Sequence, residues 1–116
     1  QLINGHLLNA VSGPINIIVA NLPYVADGEI PGLQREISIY EPHHALAGGP
    51  DGTALIRELI VETPRVLSKK GFLLLEFGWS QRNVLESQIR TTIPGCSLQF
   101  LQDLSGIDRV LVAQLN

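Results

Sequence analysis

Asn21, Leu22, Pro23 and Tyr24 bring a carboxamide and a phenol together directly after the apolar run Ile15–Ala20. In an open α/β sheet, ligands bind at that position, just past the carboxyl end of a buried strand. Asn and Pro are also ordinary turn residues, so these four residues alone fit a strand-ending corner equally well. Other groupings carry less chemistry. His43 and His44, with His6, have no Asp, Glu or Cys at metal-ligand spacing, so they read as an exposed loop pair and no metal site is expected. Residues 48–52 (GGPDG) are glycine-rich, but no Lys follows, so they read as a loop-to-helix turn rather than a phosphate cradle. Glu76 stands at a strand end and reads as a support residue that orders neighbouring backbone. Asp103, Asp108 and Arg109 read as a turn network. Cys96 is the single cysteine and has no internal disulfide partner.

The elements that would hold the corner follow from apolar patterning. Ile15–Ala20 follows Ser12, Gly13 and Pro14; short and β-branched, it reads as a strand buried on both faces, as in a parallel sheet. Residues 24–52 are rich in Gly and Pro without usable periodicity, which predicts a loop of functional length. Asp51 is placed to cap a helix reaching Lys70, with Leu55, Ile56, Leu59, Ile60, Val66 and Leu67 on one face. Within it, Thr63 and Pro64 would cap and restart the helix with a bend, and Lys69, Lys70 and Gly71 would end it. Residues 72–77 read as a second buried strand. Residues 80–92 read as an amphipathic helix with Val84, Leu85 and Ile89 inward. Residues 98–103 and 109–115 read as two strands whose connection is too short for a helical crossover, so they should be antiparallel neighbours. The order implies an α/β layered fold with a mostly parallel sheet and a closing antiparallel pair.

The chain has 116 residues, enough for at most one domain, with 45% hydrophobic and 16% charged residues. Its 8 basic and 11 acidic residues give a net charge of −3, and Lys69–Lys70 is the longest basic run, so direct nucleic-acid binding is not expected. The longest apolar run is far too short to span a bilayer and no leader pattern is visible, which sets a cytoplasmic location and no membrane as the expectation.

Beyond the corner, several blocks carry a family resemblance. Asn21 to Tyr24 resemble the Asn-Pro-Pro-Tyr motif of amino methyltransferases, with Leu22 in place of the first Pro. Tyr40, Glu41 and Pro42, then Ala45–Leu46, Gly48–Gly49 and Asp51–Gly52, resemble the loop of HemK-type release-factor glutamine methyltransferases. Residues 75–78 (LEFG) with Gln81 resemble their next strand end, and residues 103–109 (DLSGIDR) their final turn. The blocks keep order and spacing over almost the whole chain. The resemblance implies the C-terminal half of a Rossmann-like class I methyltransferase sheet, whose version of the fold ends in an antiparallel pair. Residues 1–116 would be a partial methyltransferase domain cut from a longer chain, lacking the cofactor-binding N-terminal half.

The resemblance also implies roles. An amide nitrogen is a poor nucleophile, because its lone pair is delocalised into the carbonyl. Accepting both N–H hydrogens holds that nitrogen in line with a methyl group and stabilises the charge it gains. By resemblance the Asn21 side-chain oxygen and the Leu22 carbonyl supply the acceptors, Pro23 holds Leu22 extended, and Tyr24 packs against the glutamine side chain. Asn21 would also touch S-adenosylmethionine. His6 stands near a third-strand end, where relatives often place an Asp for the cofactor. Glu41, Pro42 and Glu76 are implied support residues. The implied substrate is the Gly-Gly-Gln segment of a peptide chain release factor, with S-adenosylmethionine as methyl donor for the full-length parent. The isolated chain is expected to bind the cofactor poorly, to be inactive, and to self-associate through an open strand edge. Two alternatives stand beside this: a ribosomal-RNA adenine dimethyltransferase, in which Asn-Leu-Pro-Tyr also occurs, and a non-catalytic fragment or interaction module.

Overall fold

The computed structural model describes residues 1–116. Four strands, β1 (Ile15–Ala20), β2 (Leu67–Glu76), β3 (Ser97–Gln102) and β4 (Asp108–Gln114), form one sheet in the order β1-β2-β4-β3. β1 and β2 are parallel, joined by a crossover through helix α3 (Ala54–Val66). β4 runs antiparallel to both β2 and β3. The closing antiparallel pair is therefore present, but a mostly parallel sheet is not. The tight turn after β3 returns the chain between β2 and β3, so the only parallel ladder is the one spanned by α3.

Helices α3 and α4 (Arg82–Thr92) share one hydrophobic core with the sheet. Ile56, Leu59, Ile60, Thr63 and Val66 of α3 recur at helical spacing and are buried, as are Leu85 and Ile89 of α4. They meet Ile18, Leu73, Leu75, Phe77, Leu111 and Ala113. Each Ile, Leu, Val and Phe side chain among them contributes roughly 1.5–3 kcal/mol by leaving water. The other sheet face carries no helix. Ile17 and Val19 are 57% and 74% exposed, so β1 is buried on one face only, contrary to the sequence expectation. Val84, expected inward, is 36% exposed.

Other expectations also change. α3 runs through Pro64 without a restart, and the Thr63 hydroxyl donates to the Leu59 carbonyl at 2.8 Å instead of capping a new helix. Thr53 is the N-cap, and Asp51 braces it by accepting from the Thr53 N–H and hydroxyl. Leu67 leaves the helix to pair with Ile15, and the ladder resumes at Phe72, past Lys70 with φ 60°. The basic pair thus sits in an irregular strand, not at a helix end. Nor is the segment after the corner structureless. It holds a 3-10 turn at Ile30–Gly32 and two short helices, α1 (Arg35–Tyr40) and α2 (His43–Leu46). The segment folds back on itself, because the Val25 N–H donates to the Leu46 carbonyl at 3.1 Å and the Gly48 N–H to the Val25 carbonyl at 2.8 Å. No helix is long and apolar enough to cross a membrane.

Candidate active site

β1 ends at Ala20, which pairs with Leu75, so residues 21–24 emerge beside the carboxyl end of β2. There they line a cleft of about 440 Å³. Its opposite wall is Leu33, Ile37, Ala45 and Leu46 from the α1 and α2 region, and Glu76 and Arg109 bring charge to its floor. Asn21 is exposed, while Leu22 and Tyr24 are half-buried and pack against the core. Neither the Asn21 carboxamide nor the Leu22 carbonyl makes a hydrogen bond within the chain. The corner thus offers two oxygen acceptors with no internal partner.

The Tyr24 hydroxyl donates to Glu76 Oε1 at 3.0 Å. Burial pushes the phenol pKa above its ordinary value, and the adjacent Glu76 carboxylate pushes it the same way. Tyr24 therefore stays a protonated donor, and Glu76 acts as its anchor.

The glycine loop explains how the corner is approached from behind. A Cβ on Gly48 would lie 2.7 Å from the Pro23 carbonyl oxygen, and one on Gly52 would lie 2.2 Å from that of Tyr24. Gly52 also has φ +75°, a conformation that L side chains avoid. The turn therefore packs directly on the corner's backbone, and residues 48–52 form the loop-to-helix turn read from the sequence. Buried Gln81 closes the arrangement. Its Oε1 accepts from the Gly78 N–H at 2.8 Å, and its Nε2 donates to the Tyr24 and Asp51 carbonyls at 2.8 and 3.3 Å.

Arg109 reaches the cleft from the start of β4. Its Nε donates to Asp103 Oδ2 at 3.0 Å, and its carbonyl accepts from the Phe77 N–H at 3.0 Å. Asp103 also accepts from the Ser105 and Ile107 N–H groups at 2.8 and 3.1 Å. The Ile107 amide, then Arg109, hold its carboxyl below the usual carboxylate range. Asp108 does not join this network but pairs with Arg82, whose guanidinium lies 4.3 Å from the Phe100 ring centre. Arg109 is a cleft residue that the sequence reading treated as turn structure. The signal available was register: an antiparallel β4 beside β2 brings its first residues level with Glu76.

Three anticipated residues lie outside the cleft lining. His6 is exposed and bonds Glu58 on α3 at 3.0 Å. Glu41 and Pro42 form the joint between α1 and α2. Glu41 has the extended backbone that a following Pro requires. His43 and His44 are exposed on α2, and no group of three or more His, Cys, Asp or Glu side chains forms a metal cluster.

Set against solved structures, this layout has the fold of a methyltransferase. The crystal structure of the release factor-specific protein-(glutamine-N5) methyltransferase from Alicyclobacillus acidocaldarius superposes with a TM-score of 0.52, over 95% of this chain and 85% of that chain, at 19% identity. In sequence the chain is similar to release factor glutamine methyltransferases. That of Bacillus subtilis (strain 168) is 32% identical over 101 residues, 87% of this chain and 35% of its own length. That of Rhodospirillum rubrum is 36% identical over 106 residues, 90% of this chain and 32% of its own. That of Thermodesulfovibrio yellowstonii is 38% identical over 97 residues, 84% and 34%. The chain spans about a third of the length of these curated relatives. No protein-family profile matches it.

Proposed function

We propose that the cleft is the acceptor site of an S-adenosylmethionine-dependent protein methyltransferase that methylates the side-chain nitrogen of glutamine, in the Gly-Gly-Gln segment of a peptide chain release factor. One observation carries the reading: Asn21 and the Leu22 carbonyl stand free at a cleft mouth, at the strand end where α/β sheets bind ligands. The relatives' names supply the substrate class, and S-adenosylmethionine follows as the methyl donor that the resemblance to methyltransferases implies. With that substrate the reaction belongs in the cytoplasm, where translation ends.

In this account the glutamine carboxamide enters nitrogen first, giving one N–H to Asn21 Oδ1 and the other to the Leu22 carbonyl. Fixing both hydrogens orients the nitrogen, and the two oxygens would stabilise the positive charge it gains if the methyl left the donor's sulfur for it, until one N–H proton was lost. Leu22 serves as well as Pro would, because the acceptor is main chain and the leucine side chain anchors it to the core. The apolar wall from Leu33, Ile37, Ala45 and Leu46 excludes water and receives the glutamine methylenes.

The residues present fit the acceptor and not the donor. Beside Asn21 the bare sheet face forms a hollow of about 240 Å³ bordered by Val19, Ala20, Leu74, Val110 and Glu76. That lining has one carboxylate, Glu76, and the Asn21 carboxamide, but no cationic group to hold the carboxylate of a sulfonium amino acid. His6 is held on α3 by Glu58. No step through the cofactor is assigned to these residues. The open edge of β1, beside exposed Ile17 and Val19, supports self-association of the chain.

The reading is tested by anisotropy of labelled peptides added to the chain. A Gly-Gly-Gln peptide should bind about tenfold or more tighter than Gly-Gly-Glu, whose carboxylate brings no N–H to the two acceptors and sets its own negative oxygens against them. Equal affinities would refute the amide site. Preference for an adenine-containing RNA would replace it with the nucleic-acid reading.

A further inference from the structure

We propose that Gln81 is the positioning residue of the acceptor cleft, acting through the backbone of the corner; its bearing on catalysis rests on the function proposed above. Between Ala20, the last paired residue of β1, and Val25, which donates to Leu46, the main chain of residues 21–24 makes one hydrogen bond within the chain. Gln81 donates it, to the Tyr24 carbonyl at 2.8 Å. Pro23 contributes no N–H, and the Leu22 carbonyl must stay free to act as an acceptor. Apart from packing and the stiffness that Pro23 gives its own and the preceding residue, the hydrogen-bonded restraint on the corner's backbone therefore passes through one carboxamide.

The side chain suits that task. It accepts from Gly78 at the end of β2 and donates to Tyr24 and to Asp51 in the glycine loop, so three separate segments converge on it. Glutamate could accept but not donate, leucine could do neither, and asparagine is one methylene short. Space for the group is made by glycine: a Cβ on Gly78 would lie 3.1 Å from the Gln81 carboxamide carbon, and one on Gly52 would lie 2.6 Å from its nitrogen. The base is rigid as well. Gln81 is 6% exposed, and its carbonyl accepts from the Leu85 N–H at 3.1 Å in the first turn of α4, whose Leu85 and Ile89 are fully buried. The core thus fixes α4, α4 fixes Gln81, and Gln81 fixes the corner.

The test is ¹⁵N relaxation at Asn21, Leu22 and Tyr24 in the ligand-free chain, with α4 as internal reference. In the unaltered chain, order parameters near about 0.85 are expected; in Gln81→Ala they should fall below about 0.6 at the corner while α4 is unchanged. Gln81→Glu guards against loss of folding. When protonated, the introduced carboxyl can accept from Gly78 and donate to Tyr24; when ionised, it faces two carbonyl oxygens. Its corner should therefore be ordered near pH 4 and loosen near pH 7, with the unaltered chain measured at both as control. Unchanged order at the corner in both variants overturns the proposal, whatever binds the cleft. A Gly-Gly-Gln peptide titration is the second arm, in which Gln81→Ala should lose about tenfold in affinity. A loosened corner with unchanged affinity also overturns the positioning role. Failure of the unaltered chain to bind peptide counts against the proposed function, while the relaxation data still judge Gln81.

Discussion

Replacing Gly52 by alanine probes the contact between the glycine loop and the corner most sharply. Two costs are built into the geometry: φ +75°, and a Cβ 2.2 Å from the Tyr24 carbonyl oxygen and 2.6 Å from Gln81 Nε2. Left-handed backbone costs an L residue roughly 1–2 kcal/mol, overpacking adds about 1–3, and displacing Gln81 leaves the half-buried Tyr24 carbonyl unpaired for about 1 more. The loss should be at least about 3 kcal/mol, a large fraction of the stability of a small domain. Two other glycines separate the terms. Gly106 has φ +77° with open space around it, so Gly106→Ala should cost the backbone term alone, about 1–2 kcal/mol. Gly48 has no left-handed φ but a Cβ 2.4 Å from the Gly52 carbonyl oxygen, so Gly48→Ala should show mainly the steric term. Gly28→Ala, with nothing near it, should stay within about 0.5 kcal/mol of the parent. Urea denaturation followed by circular dichroism, compared at constant m-value, gives the ranking. If Gly52→Ala costs no more than Gly106→Ala, the loop does not bear on the corner as described.

Removing the Tyr24 anchor by Glu76→Gln should lower the phenol pKa, but not fully to about 10, because burial is the larger cause. The raised value favours the neutral phenol in the folded state; that stabilisation is complete below the unfolded pKa and is lost as pH rises through the folded one. Phenolate absorbance checks this, and an unchanged titration would rule out the Tyr24–Glu76 contact. Asp103 has the opposite sign: its lowered pKa stabilises the fold above the unfolded carboxylate value and is lost as pH falls through the folded one. Asp103→Asn should flatten the acid limb of the urea midpoint between neutral pH and about pH 3, whereas an unaltered limb would discount the Ile107 and Arg109 bonds. Light scattering should show the chain associating as concentration rises, and Val19→Lys should weaken that. A monomer throughout would refute edge pairing.

The sequence was most informative where local rules coincide with tertiary demand. Ile15–Ala20 is β-branched and bounded by turn residues, and the β3–β4 pair has a connection too short for anything but reversal. The glycine loop was legible because Gly, Pro and Asp are turn-forming residues and its glycines can adopt the positive φ that the turn uses at Gly49 and Gly52. Short helices α1 and α2 were not, since segments of 6 and 4 residues show no period and are held by the return of Gly48 onto Val25. Lys69, Lys70 and Gly71 looked like a helix end because their side chains suit one, but pairing of Leu67 with Ile15 decided otherwise. Asn21, Leu22, Pro23 and Tyr24, which line the cleft, were singled out by their position after a strand together with the motif they resemble. The parts played by Gln81 and Arg109 were hidden, because each acts across a long sequence separation that only the folded chain closes.

The central claim is that the corner grips both hydrogens of a carboxamide, and proton NMR of a Gly-Gly-Gln peptide labelled with ¹⁵N in the glutamine side chain tests it directly. On adding the chain, both amide protons should move downfield and lose their rotational averaging, and Asn21→Ala should abolish the shift of one of them. Two amide protons that stay at their free positions, or that respond identically to the chain and to Asn21→Ala, would contradict it.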